Sequence, residues 1–288
     1  MKAVTGAAVV LAGLIMAGSG QTGRADETAP PVTSGQTIAF LGDSITAAGA
    51  KPGGYCQLVL QGLKKEDLDV KGVFAGISGH KSNQMLARLE KDVLSKKPDW
   101  MTLSCGVNDV WHGARGVKLE DYKTNITAIV DQAQAAGVKV MILTSTMIKE
   151  VQDNDLNQKL VPYNDFLREL AREKGCRLAD LNAEMREALN RFPENAPVGT
   201  RLTTDGVHMN AYGNIMMAKG VLKAFGLSDE TLAACESDWK NTPGTQTIRL
   251  NMSMSLNDYE QLQKKLDRPV SDVFIDTLNQ KKAELLSQ

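Results

Sequence analysis

Between residues 37 and 180 the chain alternates short apolar runs with amphipathic stretches five times, and this rhythm limits the fold more than any other feature. The apolar runs are TIAFLG (37–42), VKGVFAG (70–76), PDWMTLSCG (98–106), VKVMILTS (138–145) and a short piece near CRLAD (176–180). A helical stretch is expected around 54–65. In SNQMLARLEKDVL (82–94), Met85, Leu86, Leu89 and Val93 recur at helical spacing. KLEDYKTNITAIVDQAQAAG places Leu119, Tyr122, Ile126, Ile129 and Ala133 on one face and stops at Gly137. A further helix is expected at 162–174. The nearly unbroken apolar run 138–145 suits a strand covered on both faces. Strands alternating with helices pair in parallel through right-handed crossovers, with helices on both faces of the sheet. The expected fold is therefore α/β, a three-layer α/β/α sandwich on a five-stranded parallel sheet.

The functional crevice of such a sheet opens beyond the carboxyl ends of its strands. Three Gly-containing polar clusters fall there: Gly42-Asp43-Ser44, Gly76 to Gly79, and Cys105 to Asp109.

The N-terminus departs from this pattern. Lys2 is followed by the apolar AVTGAAVVLAGLIMAG and then by SGQTGRADE, with small residues at Gly23 and Ala25. A basic start, a short apolar run and a small-x-small exit describe a secretory signal peptide over 1–25. The run is shorter than the roughly 20 residues a membrane span needs. No stable membrane insertion is expected, and the mature protein is expected to be secreted or periplasmic. Residues 26–35, rich in Pro, Thr and Ser, read as a linker. The formal net charge of −1 offers no long-range attraction for nucleic acid or anionic lipid. Cys56, Cys105, Cys176 and Cys235 show no CxxC spacing, so neither a zinc knuckle nor a redox pair is signalled, and the sequence selects no disulfide pairing.

Beyond about residue 226 the rhythm changes, which divides the chain into a main domain at 36–226 and an extension at 227–288. TQTIRLNMS alternates Ile248, Leu250 and Met252 with polar residues, a half-buried strand pattern. Ser255 and Asp258 resemble a capping box ahead of Leu256, Tyr259, Leu262 and Leu266. A second helix after Pro269 is expected to turn Val273, Phe274, Thr277 and Leu278 inward. This small strand-helix-helix unit loosely resembles a ribbon-helix-helix module. An appended packing element, or one through which a homo-oligomer forms, fits an exported chain better than DNA binding.

The chain has three histidines, His80, His112 and His208. His208 has the most chemistry around it, because Asp205 lies three residues earlier on a Gly-containing turn and can orient the ring. A carboxylate on one ring nitrogen leaves the other free to act as a base toward a serine. Ser44, on a strand-to-helix turn, completes that set.

GDSIT at 42–46, AGISG at 75–79, GVND at 106–109 and DGVH at 205–208 together resemble the SGNH hydrolase (GDSL esterase) superfamily, from about residue 37 to about 225. The resemblance implies a flavodoxin-like five-stranded sheet between helices. It also implies Ser44 as nucleophile, His208 as base, Asp205 as its partner, and Ser44, Gly79 and Asn108 as oxyanion donors. Many members carry Asn where this chain has Phe74, a position that supports the loop. Asp43 and Asp109 are read as structural turn residues. Tyr55, His80, Trp111 and His112 are candidates to line a substrate cleft.

The expected activity is hydrolysis of a carboxylic ester, foremost removal of O-acetyl groups from a carbohydrate, on a small-molecule or polysaccharide substrate and without cofactor or metal. A lysophospholipase, short-chain acyl esterase or thioesterase is the alternative within the class. A non-catalytic glycan-binding module on the same fold is the alternative outside it. A metal-dependent hydrolase is disfavoured, because the histidines lack HExxH or paired-carboxylate spacing.

Overall fold

The computed structural model describes Met1 and residues 31–193, 196–197, 199–242 and 252–287. The signal peptide expected over 1–25 apart from Met1, most of the linker over 26–35 and most of the strand expected over 245–253 lie outside the described residues. The chain divides into two compact units, Met1–Gln246 and Thr247–Gln288.

In the first unit, β1 (Thr37–Gly42), β2 (Lys71–Gly76), β3 (Trp100–Ser104), β4 (Lys139–Leu143) and β5 (Arg177–Ala179) form one sheet in the order β2-β1-β3-β4-β5. Every pairing is parallel. The inner strands β1, β3 and β4 are almost wholly buried, whereas the edge strand β2 is largely half-exposed. This is the burial expected when helices cover both faces and the edges meet solvent. Each fully buried Leu or Ile contributes roughly 1.5–3 kcal/mol of transfer free energy, and Ile38, Leu41, Leu103 and Ile142 of these strands lie in the core.

The connections carry α1 (Ser44–Gly49), α2 (Tyr55–Lys65), α3 (Ser82–Asp92), α4 (Val107–Trp111), α5 (Leu119–Ala135), α6 (Asp155–Glu173), α7 (Leu181–Leu189), α8 (Ala211–Ala224) and α9 (Asp229–Asn241). Helices α2, α7 and α9 pack around α8, while α5 packs between α3 and α6. Helix α5 stops where expected. Gly137 is left-handed at φ +80, and Val138 N–H donates to Ala133 O at 2.9 Å.

Two expectations need correction. The helix expected at 162–174 is α6, which begins a full two turns earlier. The Asn154 side chain caps it by accepting from Leu156 N–H and Asn157 N–H at 2.9 and 3.0 Å. Pro162 therefore sits inside the helix, with its ring exposed to solvent. The change of rhythm at 226 also falls inside the first unit, because α9 buries Leu232, Cys235 and Trp239 against that unit.

The second unit holds α10 (Leu256–Lys265) and α11 (Val270–Leu286). Ser255 caps α10, its Oγ accepting from Asp258 N–H at 3.1 Å and donating to Asp258 Oδ2 at 2.7 Å. Val270 alone is buried among the described residues of this unit. Leu262, Leu266, Val273 and Phe274 are half-buried, and Leu256, Tyr259, Thr277 and Leu278 are exposed rather than inward.

Candidate active site

The strand order reverses between β1 and β3, and the loops leaving these strands meet at that switch point. Gly42 and Gly76 are register partners, so the turn carrying Ser44 and the loop carrying Gly79 start side by side. A Cβ at Gly76 would collide with the backbone of Thr46 and Ala47, so glycine there lets α1 lie against β2. Gly79 is left-handed at φ +76, a conformation that favours glycine.

Ser44 is the first residue of α1. Asp43 caps the helix, its Oδ1 accepting from Ile45 N–H at 2.9 Å. The Ser44 Oγ lies 2.9 Å from His208 Nε2, and His208 Nδ1 lies 2.6 Å from Asp205 Oδ2. The other carboxylate oxygen of Asp205 accepts from Val207 N–H and His208 N–H at 2.9 and 2.8 Å. Burial raises the Asp205 carboxyl, but these hydrogen bonds outweigh it and hold the group below the usual carboxylate range. Asp205 therefore stays ionised, Nδ1 carries the ring proton toward it, and Nε2 faces Ser44 as an acceptor. The His208 and Asp205 side chains keep 36% and 49% of their surface exposed, and Ser44 is part-exposed.

Asn108 lies on α4, just after β3, and is buried. Its amide nitrogen donates to Asp43 Oδ2 at 3.1 Å and to His80 O at 3.2 Å. It thus spans from the neighbour of Ser44 to the neighbour of Gly79. The Ser44 and Gly79 N–H groups have no backbone acceptor among the described residues.

Around this centre the other candidates divide. His80 is partly exposed, and its Nδ1 accepts from Arg88 Nε at 3.1 Å. Burial and then the Arg88 charge hold it below the ordinary histidine range, which leaves a neutral ring with an Nε2–H donor. Trp111 is exposed and stacks on His112 at 6.4 Å, on the helix that carries Asn108. Burial, Lys81 and Arg115 lower His112 in the same way. Tyr55 is a correction. It is fully buried, its hydroxyl is 2.8 Å from Thr46 Oγ1 and its ring packs edge-on against Phe40, so it meets no substrate.

Asp43 and Asp109 both occupy structural positions. Asp109 Oδ1 accepts from Ser82 N–H at 3.0 Å, tying α4 to α3. Phe74 stacks on Phe40 with 5.7 Å between ring centroids. The sequence reading passed over Arg88, a buried cation whose Nη2 donates to Gly42 O at 2.9 Å. That bond and the one to His80 tie the serine turn to the glycine loop.

Residues 40–214 match the GDSL-like lipase/acylhydrolase family. The chain is 27% identical over 216 residues to an acetylxylan esterase of Geobacillus stearothermophilus, covering 68% of this chain and 96% of that protein. The crystal structure of the acetyl xylan esterase AlAXEase superposes with a TM-score of 0.61 at 34% identity, covering 65% of this chain and 98% of that one. Axe2, an acetylxylan esterase from Geobacillus stearothermophilus, superposes with a TM-score of 0.62 at 26% identity, covering 68% and 97%. Three further Axe2 structures are of catalytic mutants in which a serine, an aspartate or a histidine is replaced by alanine.

Proposed function

The chain belongs to the GDSL-like lipase/acylhydrolase family, and from that membership we propose a secreted carbohydrate O-deacetylase working through Ser44, His208 and Asp205. One observation carries the mechanism: His208 bridges Ser44 Oγ at 2.9 Å and Asp205 Oδ2 at 2.6 Å.

As Ser44 Oγ attacks the ester carbonyl carbon, its proton passes to His208 Nε2. Asp205 stabilises the imidazolium and remains ionised. The carbonyl oxygen becomes an oxyanion facing Ser44 N–H and Gly79 N–H, and the Asn108 amide joins them by turning toward it the N–H that otherwise donates to His80 O. Collapse of this intermediate breaks the bond to the alcohol oxygen, which leaves with the proton from His208. Water then attacks the acyl-Ser44, gives a proton to His208 and releases the carboxylic acid. The final collapse returns that proton to Ser44.

Two facts support a carbohydrate acetyl ester as substrate. Relatives that cover about two thirds of this chain include proteins named acetylxylan esterase. The half-exposed His208 and Asp205 also leave room for a bulky alcohol portion. Secretion rests on the basic-apolar-small pattern of residues 1–25.

The experiment compares acetate release from acetylated xylo-oligosaccharides with hydrolysis of p-nitrophenyl esters of increasing acyl length. This reading predicts that acetyl esters are the best substrates in both series and that longer acyl chains lose kcat/KM. A preference for long acyl chains, with no acetate released from the oligosaccharides, contradicts it.

A further inference from the structure

Glu150 lies in the loop between β4 and α6 and is 1% exposed. Its carboxylate is surrounded by donors from one short segment. Oε1 accepts from Leu202 N–H at 2.7 Å, Thr203 N–H at 2.7 Å and the Thr203 hydroxyl at 2.8 Å. Oε2 accepts from Gly199 N–H at 2.8 Å and, at a longer 3.4 Å, from Arg201 N–H. Burial raises this carboxyl, but the donors from Leu202, Thr203 and Gly199 outweigh it and keep the group below the ordinary glutamate range.

The segment so gathered is the base of the turn bearing the histidine. Thr203 pairs with Met209 as an antiparallel bridge, and Thr204 N–H donates to His208 O at 2.8 Å. Asp205 and His208 occupy the turn thus closed. Two further bonds reach from the Glu150 side into it. The Thr203 hydroxyl, while donating to Glu150, accepts from Gly206 N–H at 2.9 Å. Lys149 N–H donates to Gly206 O at 2.6 Å, from a left-handed backbone at φ +63. A non-glycine residue in that conformation costs of order 1 kcal/mol or more, and persists only where its surroundings hold it.

We propose that Glu150 is the positioning residue of the histidine turn, its carboxylate anchoring residues 199–203 so that His208 stands at hydrogen-bond distance from Ser44. A carboxylate suits this task because it accepts on both oxygens, where the donors are backbone N–H groups that converge from one side. Glutamine keeps one acceptor but turns an N–H₂ toward Gly199 N–H or toward Leu202 and Thr203, so one set of donors loses its partner. A turn freed at its base shifts the imidazole, and misplacement of about 1 Å costs on the order of 10²-fold in rate. The inference rests on the reading of Ser44, His208 and Asp205 as one relay.

The test uses the full mature chain, with p-nitrophenyl acetate turnover and the rate of Ser44 labelling by a fluorophosphonate followed by mass spectrometry. Glu150→Gln, folded by circular dichroism and assayed well below its melting point, loses about 10- to 100-fold in kcat and labelling rate while KM stays within about twofold. Thr203→Val removes the hydroxyl link and slows both readouts, and Thr203→Ser recovers most of that loss. The double variant Glu150→Gln/Thr203→Val is slower than Glu150→Gln by no more than about twofold, because both changes cut one path.

A folded Glu150→Gln with wild-type kcat and labelling rate overturns the proposal. Should Glu150→Gln fail to fold, Thr203→Val decides: wild-type turnover overturns the proposal, and a loss recovered by serine supports it. An active wild type whose Ser44 takes no label brings down the relay itself, and Glu150's part with it. A labelled Ser44 with unaffected variants removes Glu150's part alone.

Discussion

Asp43 Oδ2 accepts a hydrogen bond from Asn108 Nδ2 at 3.1 Å, so the residue before the serine fixes the orientation of the amide across the switch point. With an ionised acceptor at this place, the Asn108 side chain has to present its N–H₂ rather than its oxygen. That orientation is the one a developing oxyanion needs. The cost is a buried carboxylate. Desolvation pushes the Asp43 carboxyl up to about 6, against the hydrogen bond from Ile45 and with Asp109 adding to the rise.

Asp43→Asn therefore stabilises the protein while slowing it. The native state holds a proton on Asp43 through a window, pH ~4 to ~6, in which the unfolded chain has already released it, so Asp43 lowers stability as pH rises across that window. Above it the full cost, on the order of 3 kcal/mol, is present. Melting curves by circular dichroism should show the variant several degrees above the wild type at pH 8, with the gain shrinking toward pH 4. A gain independent of pH would mean the charge is not its source. Turnover falls because the new amide lets Asn108 turn its oxygen toward the site.

Asp205→Asn lowers kcat by on the order of 10²–10⁴, with little change in KM, because an amide neither selects the Nδ1–H tautomer nor stabilises the imidazolium. Asp205 is held below the ordinary carboxylate range in the wild type. Asp205 therefore adds no ionisation at or above the ordinary carboxylate range to the acid limb of the wild-type rate profile. A variant with unchanged kcat excludes Asp205 from this role.

Ending the chain after Gln246 leaves hydrolysis of p-nitrophenyl acetate within about twofold of the full chain, because all the site residues lie in the first compact unit. Steady-state kinetics on the purified truncate provide the check. A folded truncate without activity shows that the C-terminal helices build part of the site.

The parts of this molecule legible in the sequence are those encoded locally. Apolar runs such as VKVMILTS announce strands because their own residues must be buried on both faces, and Asp205 meets His208 because three positions on a turn bring them together. Ser44 is 164 positions from His208, and the GDSIT and DGVH motifs linked them where spacing alone does not. The misses are tertiary. Tyr55 follows a glycine pair and reads as a cleft aromatic, yet Thr46 satisfies its hydroxyl inside the core. Pro162 reads as a helix start, because nothing nearby reveals that Asn154 caps the helix two turns earlier. Glu150 has no local signature, since its donors lie 49 to 53 positions away.

The most direct test of the account is the turnover of Ser44→Ala on an acetyl ester, with the fold verified by circular dichroism. Removing the nucleophile of such a relay costs on the order of 10⁴–10⁶ in kcat, and the account predicts a loss of that size with an unchanged spectrum. A folded Ser44→Ala that retains more than about a hundredth of the wild-type kcat, far above such a loss, contradicts it.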